Sequence, residues 1–353
     1  MIYNNEKRFF LKRRDFLKFS AFLASTPVFA RKGKINIKLP SKKLTYYHLY
    51  GKKKGKKVLI IGGIHGNEVG AYKCASMLKE SEIEKGELLI IPRSNFTSIL
   101  ANLRGYNGDM NRKFEYVSKK DPDFYYVETL KELILCYKPD VVISMHDGFG
   151  FNIENEKAWG QSIVIDELNY KSFNLYQKAL FVKNNANKFL QKKLSIINTK
   201  TFSSDIHKEQ KKALTAWCLR HNIESYCIEA SKQLPTLESK IYTHLVMLRE
   251  FFKLFEIEIK NIEDMMKNMK KYLNFTPPSL ILKINGVKYK ISDSKNFVLN
   301  DGSFIEVFSD VENGEYLLPL GVNLNWRSFY FSNLTFEVKR DFERFYLINI
   351  KRA

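Results

Sequence analysis

Short, continuous apolar runs alternate with segments of helical periodicity from residue 57 onward, and this alternation constrains the fold more than any other feature. The apolar runs predict strands at 58–64, 88–91, 141–145, 162–165 and 223–228. The helical spacing predicts helices over 69–79, 124–137, 175–190, 209–220 and 237–255. Because these strands lack a polar face, we expect a sheet covered on both sides, which indicates an α/β fold.

The sequence changes character after residue 272. The segment 274–278 (NFTPP) is a break, and shorter strand-like runs follow, with Asn-Gly or Asp-Gly pairs at 285–286, 301–302 and 313–314. Both residues of such pairs tolerate positive φ, so we predict tight hairpins at these positions. Residues 31–275 are therefore predicted to form the α/β domain with trailing helices, and residues 279–353 a small all-β domain.

The first thirty residues are typical of an export signal rather than of a folded domain. A basic stretch at 12–18 (KRRDFLK) precedes a modestly apolar run, and 28–30 (VFA) fits a small-x-small cleavage site. The stretch resembles a twin-arginine signal, although Lys12 stands where Ser or Thr is commonest; a basic amphipathic helix is the alternative. A signal at 1–30 predicts a periplasmic protein, and no later run has the length of a transmembrane helix.

Positive charge is spread along the whole chain. The sequence has 58 Lys and Arg against 38 Asp and Glu, a net charge of +20, and removal of residues 1–30 leaves +16. No zinc-finger, helix-turn-helix or RNA-binding signature gathers these bases, which argues against a nucleic-acid partner. A solvated lysine-rich surface and attraction to an anionic wall polymer or membrane surface are the two remaining interpretations.

The four cysteines give no metal-binding pattern. Cys74, Cys136, Cys218 and Cys227 all lie in apolar segments, and none belongs to a C-x-x-C pair. We therefore expect buried, structural cysteines, with room for one disulfide in an oxidising compartment.

Two histidines and a glutamate follow the ends of predicted strands. His65 and Glu68 lie on the turn after 58–64, three residues apart, and His146 follows the strand 141–145. Open α/β sheets bind ligands at this edge, and three such nitrogen and oxygen donors can hold a divalent ion with one position left for water. Asp147 could then orient an imidazole from behind. A chance H-x-x-E and a hydrogen-bonded strand-end histidine are the alternatives.

Two further groups complete the candidate chemistry. Arg104, Asn111 and Arg112 lie in one loop, and guanidinium with amide donors suits recognition of a carboxylate; a solvated basic loop is the alternative. Glu229 ends the strand 223–228 and could act as a general base, whereas Glu224 begins that strand and is the weaker candidate. A surface position for Glu229 is the other interpretation.

Taken together, these segments resemble the zinc metallocarboxypeptidase superfamily. Within it, the segments 65–70 (HGNEVG), 108–114 (GDMNRKF), 146–148 (HDG) and 159–162 (WGQS) resemble the D,L-carboxypeptidases that trim peptidoglycan and control helical cell shape in Campylobacter and Helicobacter. The resemblance covers about residues 40–250. It implies a mixed sheet flanked by helices as the catalytic domain, followed by the small all-β domain.

The resemblance also implies a role for each candidate residue. It assigns three residues to Zn²⁺: His65, Glu68 and His146. Glu229 would activate the attacking water, Arg104 would stabilise the oxyanion, and Asn111 with Arg112 would hold the terminal carboxylate. Such relatives remove the terminal meso-diaminopimelate from the murein tripeptide, so peptidoglycan stem peptides are the implied partner.

Two rival functions share parts of this pattern. Aspartoacylase-like and succinylglutamate desuccinylase-like amidohydrolases also carry H-x-x-E, D-x-N-R and a later His, but their cytosolic substrates conflict with an export signal. A non-catalytic periplasmic wall-binding protein conflicts with the complete residue set. The shape-determining relatives carry two small domains after the catalytic one, whereas residues 279–353 suffice for one.

Overall fold

The computed structural model describes residues 34–273 and 275–353, so the predicted signal at 1–30 lies outside the described residues. Its strands are, in chain order, β1 (Ile35–Lys38), β2 (Tyr47–Tyr50), β3 (Lys53–Ile61), β4 (Ile83–Ile91), β5 (Val141–Gly148), β6 (Ser162–Ile165), β7 (Ser195–Asn198), β8 (Glu224–Ser231), β9 (Glu258–Ile259), β10 (Leu280–Ile284), β11 (Val287–Ile291), β12 (Lys295–Leu299), β13 (Phe304–Phe308), β14 (Glu315–Pro319), β15 (Ser328–Phe331), β16 (Asn333–Arg340) and β17 (Glu343–Arg352). Its helices are α1 (Val69–Met77), α2 (Phe96–Ala101), α3 (Phe124–Tyr137), α4 (Leu175–Ala186), α5 (Leu214–Arg220), α6 (Leu237–Leu254), α7 (Ile262–Lys267) and α8 (Met269–Tyr272).

A mixed sheet lies at the centre of the α/β part, which confirms the predicted fold class. Its strands follow the order β2-β4-β3-β5-β8-β6-β7, and β9 pairs with β4. The central strands β4, β3, β5 and β8 are parallel, whereas β2 and β6 run antiparallel to β4 and β8. The carboxyl ends of β3, β5 and β8 therefore meet at one edge of the sheet, where ligands bind in such folds.

Helices cover both faces of this sheet, as the continuous apolar strands predict. On β3, Val58 and Ile60 pack into a core shared with α1, α4 and α6. Leu59 and Ile61 point the other way, into a core shared with α3 and α5. Because successive side chains of a strand alternate between faces, an apolar residue at every position buries both sides.

Several predicted boundaries differ from the observed ones. The predicted helix over 209–220 divides into a 3₁₀ turn (Lys208–Lys212) and α5, because Ala213 has an extended backbone. The predicted helix over 175–190 ends as α4 at Ala186. The strand predicted at 223–228 continues to Ser231 as β8, so Glu229 lies within the strand rather than after it.

Two further sheets form the C-terminal β-rich region. One has the order β11-β10-β13-β1-β15 and the other β12-β17-β16-β14. The strand β1 pairs parallel to β13 and antiparallel to β15. The prediction that residues 31–275 form one unit is therefore wrong for Ile35–Lys38, which pairs with strands about 270 and about 290 residues further along the sequence.

Only one of the three predicted hairpins forms. Asn285 and Gly286 have φ values of 48° and 92° and connect the antiparallel strands β10 and β11. The pairs at 301–302 and 313–314 instead join strands of different sheets, β12 to β13 and β13 to β14. Local turn chemistry permits the reversal but does not choose the partner strand.

Buried ion pairs join the two parts of the structure. The Arg93 guanidinium donates to both carboxylate oxygens of Asp341, with Nε to Oδ1 at 2.6 Å, and the Lys73 ammonium lies 3.0 Å from Oδ2 of the same residue. Tyr72 and Phe96 from the α/β part enter the core of the β-rich region. The β-rich region therefore packs directly against α1 and α2.

All four cysteines are free. Cys74 and Cys218 are buried and Cys227 is half-buried, but Cys136 is exposed near the end of α3. The prediction of buried cysteines is thus wrong for Cys136, whose position on the outer side of an amphipathic helix leaves it in solvent.

Candidate active site

A tight turn between β3 and α1 carries His65 and Glu68. Gly63 has φ of +71°, a conformation that disfavours other residues. A Cβ on Gly66 would overlap the backbone of Ser98, so only glycine lets these two segments approach so closely. The two glycines thereby fix the path of the chain that presents His65 and Glu68 at the sheet edge.

Three donor groups converge at this edge. His65 Nδ1 lies 2.9 Å from Glu68 Oε1, and His146 Nδ1 lies 2.8 Å from Glu68 Oε2. The two Nδ1 atoms are 3.1 Å apart. All three side chains are at most 3% exposed. The side chains that the sequence predicts as metal ligands are thus brought together in one buried cluster.

The outer nitrogens of both imidazoles have partners that hold the rings in place. His65 Nε2 lies 2.9 Å from Asp109 Oδ1, and His146 Nε2 lies 3.0 Å from Ser144 Oγ. Metal-binding imidazoles are commonly oriented in this way. The prediction that Asp147 orients a ligand imidazole is not met, because its carboxylate accepts from Gly70 N at 2.6 Å and pairs with His244 at 2.9 Å.

The cluster fits a divalent metal ion. With bonds of about 2.0–2.1 Å, neighbouring ligands in a tetrahedral zinc site lie about 3.3 Å apart, close to the observed spacing of the donor atoms. The donor set of two imidazoles and one carboxylate also matches that of catalytic zinc sites. Two facing imidazole nitrogens at 3.1 Å are better satisfied by a shared cation than by each other.

Charges within the cluster shift the pKa values of all three side chains. Burial acts to raise the pKa of Glu68, but the His65 and His146 imidazoles outweigh it and hold the pKa well below its usual range. Burial lowers the pKa of His146, which favours its neutral imidazole. Burial also acts to lower the pKa of His65, but the Glu68 charge and the hydrogen bond to Asp109 outweigh it and raise that pKa. Because metal binds to carboxylates and neutral imidazoles, binding here displaces a proton from His65.

Glu229 lies on β8 directly opposite His146 on β5. Its side chain is buried, and among the described residues no group hydrogen-bonds its Oε2 atom. Its Oε1 atom is contacted by the Cys227 thiol at 3.5 Å. Burial, and then the charge of Glu68, raise the pKa of Glu229 well above its usual range. Burial and a raised pKa are typical of a catalytic acid or base rather than of a surface acid.

The loop between α2 and α3 supplies the predicted arginines. Arg104 donates from Nε and Nη2 to Asp109 Oδ2, and its Nη1 lies 3.4 Å from Glu68 Oε1. Asn111 is anchored because its Oδ1 accepts from Leu214 N. Arg112 donates from Nη1 to the carbonyl of Asn111. Arg104 thus faces the metal cluster, and the Asn111–Arg112 pair lies beside it.

These side chains line one cavity of about 570 Å³. It includes all seven residues that the sequence singles out: His65, Glu68, Arg104, Asn111, Arg112, His146 and Glu229. The sequence interpretation missed Asp109 and Ser144 as imidazole partners. Both could have been found from the sequence, because Asp109 lies in the segment 108–114 that resembles the family and Ser144 lies two residues before His146 on the same strand. Lys232 also lines the cavity, 3.9 Å from Glu68 Oε1, with no such signal.

The sequence matches a known family of carboxypeptidases. The sequence model described as "Carboxypeptidase controlling helical cell shape catalytic" matches residues 26–274, about seven tenths of the chain. The chain belongs to this family. It is therefore a carboxypeptidase, and the resemblance seen in the sequence is confirmed. The amidohydrolase and wall-binding alternatives are not favoured.

Solved structures agree in fold. Helicobacter pylori Csd4, a cell shape determinant, with bound tripeptide shares 23% identity and a TM-score of 0.67, and the match covers 88% of this chain and 77% of that one. The mDAP-bound form of H. pylori Csd4, described as a D,L-carboxypeptidase, shares 24% identity and a TM-score of 0.62, over 85% and 72% of the two chains. No curated protein sequence matches significantly.

Helices in the described part of the carboxypeptidase lack the length and apolar character of a membrane span.

Proposed function

We propose that this carboxypeptidase is periplasmic and zinc-dependent, and that it removes the C-terminal meso-diaminopimelate from tripeptide stems of uncrosslinked peptidoglycan. One observation carries the proposal: a single cavity contains the three-donor cluster, the unpaired Glu229 carboxylate and the Asn111–Arg112 pair. The tripeptide and mDAP bound to Csd4 support this choice of substrate.

Asn111 and Arg112 give the site its preference for a chain end. A guanidinium pairs with a carboxylate through two parallel hydrogen bonds, and the neighbouring amide adds a neutral donor. Side chains can also carry carboxylates, but only the last residue of a peptide has one on its main chain, directly beside the final peptide bond. The pair therefore places the final peptide bond, and no internal one, over the metal cluster.

Glu229 moves the proton. When Zn²⁺ is held by His65, Glu68 and His146, it acidifies water and polarises a carbonyl. Glu229 Oε2 accepts the proton of the attacking water as the new carbon–oxygen bond forms. It then donates that proton to the departing amine as the carbon–nitrogen bond breaks. The raised pKa of Glu229 suits both steps, because a carboxyl group with a raised pKa is a stronger base towards the water and retains the proton for the amine.

Arg104 acts on the carbonyl oxygen. Its guanidinium is held towards the cluster by Asp109 and lies 3.4 Å from Glu68 Oε1. A fixed positive donor at this place stabilises the negative charge that develops on the oxygen in the transition state. About half of the Arg104 side chain is exposed, so a substrate can reach it.

The remaining parts of the chain have accompanying roles. The twin-arginine-type signal at 1–30 would direct the folded enzyme to the periplasm, where its substrate lies. We assign catalysis to the α/β domain that ends near residue 275. Residues 279–353, joined by the strand Ile35–Lys38, form an accompanying β domain. Trimming of stem peptides would then influence cell shape.

Two matched peptides test the proposal. The zinc-loaded mature protein is incubated with the tripeptide stem and with the same peptide amidated at its terminal carboxyl group, and products are separated by chromatography. We expect dipeptide and free meso-diaminopimelate from the first peptide and at least about 100-fold slower cleavage of the second, because the amide cannot pair with Arg112. Equal cleavage of both peptides, or full activity in Glu229→Ala, would overturn the proposal. Preferential hydrolysis of N-acyl amino acids would instead favour the amidohydrolases.

A further inference from the structure

A second buried carboxylate lies in the same cavity, away from the metal cluster. Asp166 directly follows β6, is 4% exposed and lines the cavity. Asp166 continues the alternation of β6, so its side chain lies on the same face as that of Val164, two residues earlier. In the same way, Cys227 and Glu229 share one face of β8. The register pairs Ser162 with Glu229 and Val164 with Cys227. The cavity floor therefore runs from Glu229, across Cys227 and Val164, to Asp166.

Hydroxyl groups hold the Asp166 carboxylate in place. Thr201 Oγ1 donates to Asp166 Oδ1 at 2.6 Å, and Thr199 Oγ1 lies 2.7 Å from Thr201 Oγ1. Burial raises the pKa of Asp166, although hydrogen bonds from Thr201 and Thr215 oppose the shift. A carboxylate has about four acceptor positions, so capacity for a further donor remains.

The Asp166 carboxylate has no neutralising cation in the part of the chain that the structure describes. Within the described ranges, no Lys, Arg or His side chain forms an ion pair with Asp166 at 4.0 Å or less. The Arg220 charge lowers the pKa of Asp166 only from a distance, because its guanidinium donates a hydrogen bond to the carbonyl of Lys211 instead. A buried unpaired charge is costly, and a chain with 58 Lys and Arg could readily have supplied a partner.

The other acids of the cavity already have partners or roles. Glu68 belongs to the metal cluster, and Glu229 is the proposed base. Asp147 is occupied by Gly70 N and His244. Glu209 is exposed and pairs with Lys212. Asp166 is the acid that remains, at the far end of the floor from Glu229.

We propose that Asp166, with the hydroxyls of Thr199 and Thr215 that also line the cavity, binds the ammonium group on the side chain of the residue that is removed. This subsite rests on the function proposed above. The methylene groups of that side chain cross Val164 and Cys227, and the ammonium group replaces the missing protein cation. Because crosslinking acylates this amine and removes its charge, the subsite also explains a preference for uncrosslinked stems.

Two substrates that differ by one amine test the subsite. The zinc-loaded mature enzyme is given the tripeptide stem and an analogue that ends in 2-aminopimelate, which keeps the distal carboxylate and lacks only the amine. We expect kcat/KM for the analogue to be about 10- to 100-fold lower, the range of a charge-assisted hydrogen bond. Asp166→Asn should lower kcat/KM for the tripeptide by a similar factor and leave the analogue unchanged.

A matched control separates this role from a structural one. Asp205→Asn changes an exposed acid that pairs with Lys211, and it should leave both substrates unaffected. Equal rates for the two substrates in the wild-type enzyme would overturn the subsite and leave the proposed function standing. An equal loss on both substrates in Asp166→Asn would assign Asp166 a structural role. Hydrolysis of neither peptide by the wild-type enzyme would overturn the proposed function and the subsite together.

Discussion

The two ends of β8 each carry a buried glutamate, and the two carboxylates differ in their hydrogen-bond and charge partners. Glu224, at the start of the strand, accepts from the Lys178 ammonium at 2.7 and 2.8 Å and from the Tyr226 hydroxyl at 2.6 Å. Glu229, at the far end, faces the metal cluster, and among the described residues its Oε2 atom has no donor. The same residue type on one strand is thus neutralised where it supports the fold and left unpaired where the cavity opens.

The largest expected effect separates these two glutamates. Glu229→Gln keeps the shape of the side chain but cannot accept a proton, so kcat should fall by about 10³-fold. Stability should stay equal or rise, because a buried unpaired carboxylate is removed. Glu224→Gln should leave kcat within about two-fold. It should cost about 1–2 kcal/mol of unfolding free energy, since the partly exposed Lys178 loses its partner.

Steady-state kinetics and urea unfolding of both variants measure this contrast. If Glu224→Gln lost activity as severely as Glu229→Gln while remaining folded, the division of roles between the ends of the strand would be refuted.

Metal content should follow the same division. Glu68→Gln removes the charge that the two imidazoles share, and we expect zinc affinity to fall by at least about 100-fold. Asp140→Asn is the matched control at the opposite end of β5, where the carboxylate accepts from Lys57 N and Lys56 Nζ. Because these contacts are exposed, Asp140→Asn should lower the free energy of unfolding by at most about 1 kcal/mol and leave the metal content unchanged. Mass spectrometry of metal after dialysis distinguishes the two; equal zinc loss in both variants would contradict the assignment.

The partners of the two imidazoles should matter unequally. Asp109→Asn replaces a charged acceptor of His65 Nε2 and should weaken zinc binding about 10- to 100-fold. Ser144→Ala removes a neutral hydroxyl from His146 Nε2 and should weaken it by less than about 10-fold. Competition with a chromogenic chelator measures both affinities. The reverse order would show that Asp109 does not support the ligand ring.

The smallest effect is a pH dependence of stability in the metal-free protein. Burial and Glu68 raise the pKa of Glu229, so between the unfolded value of about 4.3 and the folded value the native state binds more protons than the unfolded state. Glu229 therefore lowers stability as pH rises through that window, by up to about 1.4 kcal/mol per pH unit. Urea unfolding of the wild type and Glu229→Gln across pH 4–8 should give a more negative slope of stability against pH in the wild type, because other shifted groups, such as His65 and Asp166, titrate in both proteins. Identical slopes would mean that the Glu229 carboxyl group is not perturbed.

Much of this architecture is visible in the sequence. The central strands are buried on both faces, so their apolar runs mark them. Topology alone places the residues at the carboxyl ends of β3 and β5 at one edge of the sheet. Glu229 and Glu224 could be ranked because strand direction separates the two ends of β8.

The rest depends on contacts between distant segments. The strand Ile35–Lys38 is short, and its two partners come about 270 and about 290 residues later, so no local pattern assigns it to the β-rich region. Asp147 follows a candidate ligand, yet its carboxylate is taken by Gly70 and His244, which the sequence does not place nearby. Asp166 draws no attention in the sequence, because its importance lies in a feature of the folded chain: among the described residues, no cation of the protein forms an ion pair with it.

Zinc titration of the metal-free enzyme tests the central claim most directly. The protein is stripped of metal with a chelator, zinc is added back in steps, and release of meso-diaminopimelate from the tripeptide stem is measured at each step. The account predicts no activity at the start and a linear rise that ends at about one zinc per chain, with no recovery in Glu68→Gln. Full activity in the stripped enzyme, or equal recovery in Glu68→Gln, would contradict it.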